Sequence, residues 1–235
     1  MHEYAIKTSS ERGWTDSQGC ELGISLGNFN QEGDKFRSTI RWADKRFARC
    51  IITLSDTLYR YSLMCDGASE AAAYFQTRAK GDLWLERNHD ALNAAERTEI
   101  IVQRWDEWLS HPAYKALHRE LIAFRDEDSG LRTAFETDAL NYISRRYNRH
   151  EAFDFERALH NSMAYLAEEI ACYILIGRTY GALRVYPGED MHCFHYMRTG
   201  AVPESLRGLE KAPHLKLGFR RKLNASPVGN RQAAA

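Results

Sequence analysis

The stretch Leu22-Gly23-Ile24-Ser25-Leu26-Gly27-Asn28 reads as a buried strand running into a tight, glycine-lined turn. Cys20, Leu22 and Ile24 alternate with other residues, which suits a strand better than a helix. Gly23 and Gly27 flank Ser25, so two positions beside the hydroxyl carry no side chain and a substrate can come close to the backbone. After Asn28, Asn30 and Gly33 a helical pattern starts, with Phe36, Ile40, Ala43 and Phe47 at spacings of four, three and four. A strand, a glycine turn, an exposed serine and a helix together present a reactive group at the carboxyl end of an α/β strand. The plain alternative is a strand-to-helix turn that simply requires glycine.

Working outward, Cys50–Ser55 reads as a second strand and Asp56–Tyr61 opens a helix that ends near Asp66-Gly67. Ser69 caps a long helix to about Asp90, and Glu99–Arg104 is a third strand followed by a short helix to Ser110. Residues 113–147 are helical with a break near Ser129-Gly130, and Ala152–Ile176 is helical again. Leu183–Gly188 is a further strand that ends at a proline turn. The β-α-β-α order implies an α/β fold, a parallel sheet flanked by helices. Residues 1–18 read as a loose arm and 19–224 as one catalytic domain. The chain past Glu210 reads as a basic tail, disordered over residues 225–235.

The 235 residues have a formal net charge of zero, so bulk charge announces no nucleic-acid partner and any such contact needs a local patch. Five unpaired-looking cysteines point to free thiols in a reducing compartment. The amino-terminal residues lack the order of a signal peptide, and the apolar run Ile170–Ile176 is too short for a bilayer. The expectation is a soluble cytoplasmic protein with no membrane partner.

Gly23-Ile24-Ser25-Leu26-Gly27 matches the nucleophile elbow of α/β-hydrolases, yet only about two dozen residues precede Ser25, too few for that fold. Tyr165 and Glu169 lie four apart on one helical face beside the apolar stripe Leu159, Met163, Leu166, Ile170 and Ile174. A carboxylate there needs a cation: a substrate ammonium, or an arginine such as Arg157 or Arg178 at the surface. His192 and His195 lie three apart without a second ligand cluster, so no metal is expected. Thr53 and Ser55 share one strand face that would make an aminoacyl pocket polar, with Trp105 closing its far side; local hydrogen bonding is the alternative.

Taken together, these residues resemble the cyclodipeptide synthase family, from about Glu21 to His195. The resemblance rests on Gly23–Asn28, Trp42-Ala43 with Arg46-Phe47, Asp56-Thr57, Asp66-Gly67, Tyr165–Glu169 and Val185-Tyr186-Pro187, in that order. It implies a Rossmann-like domain similar to the catalytic domain of class I tyrosyl- and tryptophanyl-tRNA synthetases, joining amino acids from two aminoacyl-tRNAs into a cyclic dipeptide. By position it makes Ser25 the acceptor of the first aminoacyl group. Tyr165 and Glu169 then hold its α-amino group, and Tyr186 stands near the reacting centre. Gly23, Gly27, Asn28 and Pro187 fall in the matched substrate-binding motifs. Of the family's two branches, Pro187 after Tyr186 places the chain in the Tyr-Pro branch, whereas Asn28 is the residue expected of the other.

No His-x-Gly-His or Lys-Met-Ser-Lys-Ser motif is present, so ATP is not expected to be used directly and no cofactor is implied. Aminoacyl-tRNA is already an activated ester that a serine can attack, with backbone N–H groups of the glycine turn stabilising the oxyanion. The tRNA would be gripped by Arg78, Lys80 and Arg87 on the long helix, helped by Arg145, Arg146 and Arg149 or by Arg220, Arg221 and Lys222. A non-catalytic Rossmann-like protein that binds tRNA or a nucleotide is the competing expectation, and a serine hydrolase a distant third.

Overall fold

The computed structural model describes residues 3–9, 18–147 and 152–221. The chain begins with β1 (Tyr4–Thr8), β2 (Gly19–Ile24), α1 (Gly33–Asp44), β3 (Arg49–Leu54), α2 (Arg60–Cys65) and α3 (Glu70–Leu92). It continues through β4 (Glu99–Arg104), α4 (Trp105–Leu109), α5 (Tyr114–Glu127), α6 (Ser129–Arg146) and α7 (Phe155–Tyr180), and closes with β5 (Leu183–Tyr186), α8 (His192–Thr199) and β6 (His214–Arg221). The strands form one sheet in the order β1-β6-β5-β2-β3-β4, parallel throughout except for β1, which runs antiparallel to β6. Mostly parallel strands flanked by helices are the α/β arrangement that the sequence predicts.

Side-chain alternation divides the sheet into two unlike faces. Cys20, Leu22 and Ile24 of β2, Cys50, Ile52 and Leu54 of β3, Leu183 and Val185 of β5, and Leu215 and Leu217 of β6 join one apolar core with Phe36, Ile40, Ala43 and Trp84. Burying Phe36 alone is worth roughly 1.5–3 kcal/mol. Trp84 stands edge-on to Phe36 at 4.9 Å and donates its indole N–H to the Gln31 carbonyl at 3.1 Å, which pins α3 over the turn after β2. The intervening residues Glu21, Gly23, Thr53 and Arg184 lie on the other face. There Tyr173 of α7 reaches Glu21 and packs on Arg184. Ile51 apart, this face is the more polar one, and it holds the site.

α7 is buried on almost every side from Leu166 to Gly177, in a second core built with α4, α5, α6 and α8. Asp154 caps its start by accepting from the Arg157 N–H, and Gly181 ends it in the left-handed region at φ 55°.

Two expectations are corrected. The arm over 1–18 is not loose throughout, because Tyr4–Thr8 forms β1 on the sheet edge. The basic segment past Glu210 is likewise not wholly a tail, because His214–Arg221 is β6, paired with both β5 and β1. Leu215, Leu217 and Phe219 alternate under the basic residues, and that period-two pattern is what the sheet uses. Residues 10–17 of the expected arm and the whole of 225–235 lie outside the described residues. α1 also stops at Asp44, so Phe47 enters the core from the following loop. Asp44 then accepts three backbone N–H groups from residues 96–98, which fixes the approach to β4.

Candidate active site

β2 hands the chain toward β3 and β4 on one side, while β5 and β6 lie on the other. The crevice at the carboxyl ends of β2 and β5 is thus a topological switch point, where open α/β sheets bind ligands. Ser25 follows β2 and Tyr186 ends β5, so the topology alone sets them face to face. The Ser25 hydroxyl lies 3.2 Å from the Tyr186 hydroxyl, and the Asn28 amide donates to that same Tyr186 oxygen at 3.4 Å.

The turn is held by a side chain that the sequence reading passed over. Gln31 accepts the Ser25 N–H at 2.9 Å and donates to the Gly23 carbonyl, so one amide clamps the backbone on either side of Ile24. The Ser25 N–H is consequently spoken for, and the expected oxyanion role of the turn cannot use that donor. Gly27 takes φ 81°, which favours glycine. A Cβ at Gly23 would collide with the Tyr173 hydroxyl, so this position is small because a side chain already stands against it.

Glu169 is buried at 5 % exposure, and its neighbour is neither Arg157 nor Arg178 but Arg184 of β5, at 3.7 Å. Arg178 instead donates to the carbonyls of Ser205 and Arg207. Glu21 is also buried, and its carboxyl faces Arg184, Thr53 and Tyr173. One guanidinium thus serves two buried carboxylates. Desolvation raises both to about 7, against the pull of Arg184. Arg184 is itself sandwiched between the Tyr173 and Phe194 rings, at 3.9 and 4.0 Å from their centroids. One oxygen of Glu169 and one of Glu21 have no hydrogen-bond partner.

Two cavities meet at Ser25. A cavity of about 80 Å³ is lined by Ser25, Tyr165, Glu169, Arg184, Tyr186 and His214, among others, and so brings together all four residues predicted to be catalytic. A larger one of about 250 Å³ extends from Ser25, Tyr165 and Tyr186 past Tyr61 and Tyr142 to Asp138, Asn161 and Arg145. The structure brings Thr53, Ser55 and Trp105 to neither. Thr53 sits under α7 beside Glu21, the Ser55 N–H completes the sheet by donating to the Ile24 carbonyl, and the Trp105 indole donates to Glu168 at 2.9 Å. Pro187 lines a shallow cleft on the opposite face, with Leu22 and Phe36. His192 and His195 are exposed at the start of α8, where the His192 ring meets Asp138 at 2.8 Å.

Of the expected basic stripe on α3, Arg78 is closely ion-paired while Lys80 and Arg87 stay exposed. Arg78 pairs with Asp106 at 2.8 Å, Lys80 sits 5.3 Å over the Tyr59 ring, and Arg87 is 4.0 Å from Glu32. Arg146 pairs with Asp66, Arg145 is exposed at the rim of the larger cavity, and Arg220 and Arg221 are exposed at the end of β6. Arg149 and Lys222 lie outside the described residues.

A fold of this kind with a serine at the switch point already narrows the class. The family described as Cyclodipeptide synthase matches residues 5–195, and the chain belongs to that family. No curated protein sequence matches the chain. Among solved structures it is similar to a cyclodipeptide synthase from Fluoribacter dumoffii, with a TM-score of 0.83 at 21% identity over 94% of this chain and 100% of that one. A Mycobacterium tuberculosis protein, whose structure relates cyclodipeptide synthetases to type I tRNA synthetases, aligns with a TM-score of 0.70 at 16% identity over 92% and 94%. A synthase from Candidatus Glomeribacter gigasporarum, bound to Phe-tRNAPhe, aligns with a TM-score of 0.65 at 18% identity over 92% of each chain. The link to the synthetase fold agrees with the Rossmann-like domain that the motifs imply. Among the described residues, no helix is long and apolar enough to cross a membrane, and no cluster of three or more His, Cys, Asp or Glu side chains could hold a metal.

Proposed function

We propose that this chain makes a cyclic dipeptide from two aminoacyl-tRNAs by a ping-pong route through an aminoacyl-Ser25 ester, as a member of the Tyr-Pro branch. The observation that supports it most is the placement of the Ser25 hydroxyl 3.2 Å from Tyr186, in one cavity with a buried Glu169 whose second oxygen has no partner. A buried carboxylate left short of a partner is completed by a cation from outside, and the α-ammonium of an aminoacyl ester is such a cation. In this reading Glu169 and Tyr165 hold that ammonium while the Ser25 oxygen attacks the ester carbonyl and the tRNA 3′ oxygen leaves. Tyr186 contacts the serine oxygen, and Asn28 orients Tyr186 through its amide. The relative bound to Phe-tRNAPhe supports charged tRNA as the substrate class. For the tRNA backbone, Arg145 at the rim of the larger cavity, exposed Lys80 and exposed Arg87 are the proposed contacts, with the ion-paired Arg78 contributing less.

The test is production of cyclic dipeptides by bacteria expressing the protein, read by mass spectrometry of the medium. Ser25→Ala is expected to abolish product and to remove the covalent adduct formed with a single charged tRNA, while leaving the fold intact, since a half-buried hydroxyl contributes little to stability. A Ser25→Ala protein active at near-normal rate would overturn the covalent route. Binding of charged tRNA without product would favour the non-catalytic alternative.

A further inference from the structure

We propose that His214 is a catalytic residue of the peptide-forming step, with its Nδ1 taking the proton from the α-ammonium of the second aminoacyl ester. The assignment rests on the aminoacyl-Ser25 reading above and supplies the base which that reading lacks.

The geometry begins with the sheet. His214 opens β6 and pairs in register with Arg184 of β5, so it lines the same small cavity as Ser25, Glu169 and Tyr186. Its Nε2 lies 3.2 Å from the Gly188 carbonyl oxygen. A carbonyl only accepts, so Nε2 carries the hydrogen and Nδ1 is a bare lone pair. That Nδ1 atom is buried and has no hydrogen-bond partner. An orphaned acceptor on a residue that lines a reaction cavity is a place for a donor from outside.

The chemistry asks for such an acceptor. An α-amino group has a pKa of about 7.7–8.0, so at neutral pH it is mostly ammonium, which is no nucleophile. Two amino groups enter the cycle, one from each substrate, and two residues that line the cavity each carry a buried, unpartnered acceptor, Glu169 Oε2 and His214 Nδ1. Glu169 serves the first residue, which leaves His214 for the second. The other carboxylates nearby are occupied: Asp190 is paired with Arg198 through both guanidinium ends, and exposed Glu189 with Lys216. Burial and the charges of Arg184 and Arg198 hold His214 below the usual histidine value against the opposing pulls of Asp190 and the Gly188 carbonyl, so it enters the step neutral, with its lone pair free. Tyr165 and Tyr186 are the remaining titratable groups in the cavity wall.

The step balances as follows. A proton passes from the ammonium to Nδ1, and the freed nitrogen attacks the ester carbonyl carbon. The new C–N bond forms and the carbonyl carbon–Oγ bond to Ser25 breaks. The serine oxygen takes the proton shed by the attacking nitrogen, with the Tyr186 hydroxyl at 3.2 Å as the relay, and the imidazolium releases its own proton to solvent.

His214→Gln keeps an N–H donor toward Gly188 and removes the basic lone pair. Single-turnover kinetics with one charged tRNA should show Ser25 acylation at the wild-type rate. Transfer to a second charged tRNA should fall by about 10²-fold or more, the range of a lost general base. That deficit should shrink as pH rises toward 9, where the amine is free without help. Unchanged transfer would overturn the assignment, and so would equal losses in acylation and transfer, the mark of a purely structural side chain. If His214→Gln does not fold, His214→Asn, which offers an oxygen near the Nδ1 position but cannot titrate, takes the same measurements. Absence of any adduct in the wild-type protein would remove the ester reading and this step with it, and is thereby distinguished from an adduct that forms but transfers normally in the variant.

Discussion

Glu168 and Glu169 are neighbours on α7, are buried to 3% and 5% exposure, and are completed in opposite ways. One residue is about 100° of helical rotation, so the two carboxylates face different surroundings. Glu168 accepts from Arg60 at 2.8 and 2.5 Å, from the Trp105 indole at 2.9 Å and from the Tyr61 hydroxyl at 3.0 Å. Glu169 has Arg184 at 3.7 Å, shares it with Glu21, and keeps one oxygen unpartnered. Burial alone does not separate a structural acid from a functional one. Satisfaction and access together do: a carboxylate with its lone pairs filled holds helices together, and one left wanting on a residue that lines a cavity, as Glu169 does and Glu21 does not, is finished by a ligand.

The sharpest way to break this contrast is to remove Glu168. Glu168→Ala strands Arg60 and should cost about 3–5 kcal/mol of stability, the range for one half of a buried pair. In a chain of this size that lowers the thermal midpoint by roughly 10 °C, measurable by calorimetry. A midpoint within a degree of wild type would show that Glu168 is not the keystone between α2, α4 and α7.

Glu21 tests the other side by pH. Its folded value near 7 stands above the ordinary glutamate value of about 4.5, so its contribution to stability is fully present below about 4.5 and lost as pH rises through about 7. Glu21→Gln should flatten the pH dependence of stability across that window, by up to about 3 kcal/mol. Urea midpoints at pH 5 and 8 read the difference, and parallel wild-type and variant curves would refute it.

For Glu169 the expected loss is catalytic. Glu169→Gln should leave the thermal midpoint near wild type while product formation falls about 10- to 100-fold, the equivalent of 1.5–3 kcal/mol for one charge-assisted bond. Normal product from the glutamine variant would return Glu169 to the structural class. Tyr165→Phe removes only a neutral hydroxyl from the cavity wall and should cost about tenfold or less, seen in the same product assay.

Much of the fold was readable because its signals are local. The alternation of Cys20, Leu22 and Ile24, the Ser69 cap and the Gly27 turn each lie within a few residues of what they determine. Ser25, Tyr165, Glu169 and Tyr186 were readable through spacing and motif, and the structure sets them around one cavity. The missed pieces have causes that sequence spacing does not carry. β1 exists only through β6, and basic residues obscured the alternation in β6. Arg184 and His214 enter the site through strand register, one from each of two strands that no motif joins. Trp105 has the composition of a pocket wall, yet the rotation of α4 spends it on Glu168. Arg78 counts as a cation in the sequence and as half of an ion pair in the molecule.

The pairing of β1 with β6 also orders events in time. Ser9 and Lys216 exchange hydrogen bonds although they stand 207 positions apart, so the first strand made has no partner until nearly the last has emerged. At about 5–20 residues per second of synthesis, that wait is on the order of ten seconds or more. The same late strand carries His214, so the nascent chain holds its serine turn long before it holds its proton acceptor. Because β6 pairs with β5 on one side and β1 on the other, protection of β1 from hydrogen exchange reports that the strand bearing His214 is already in place.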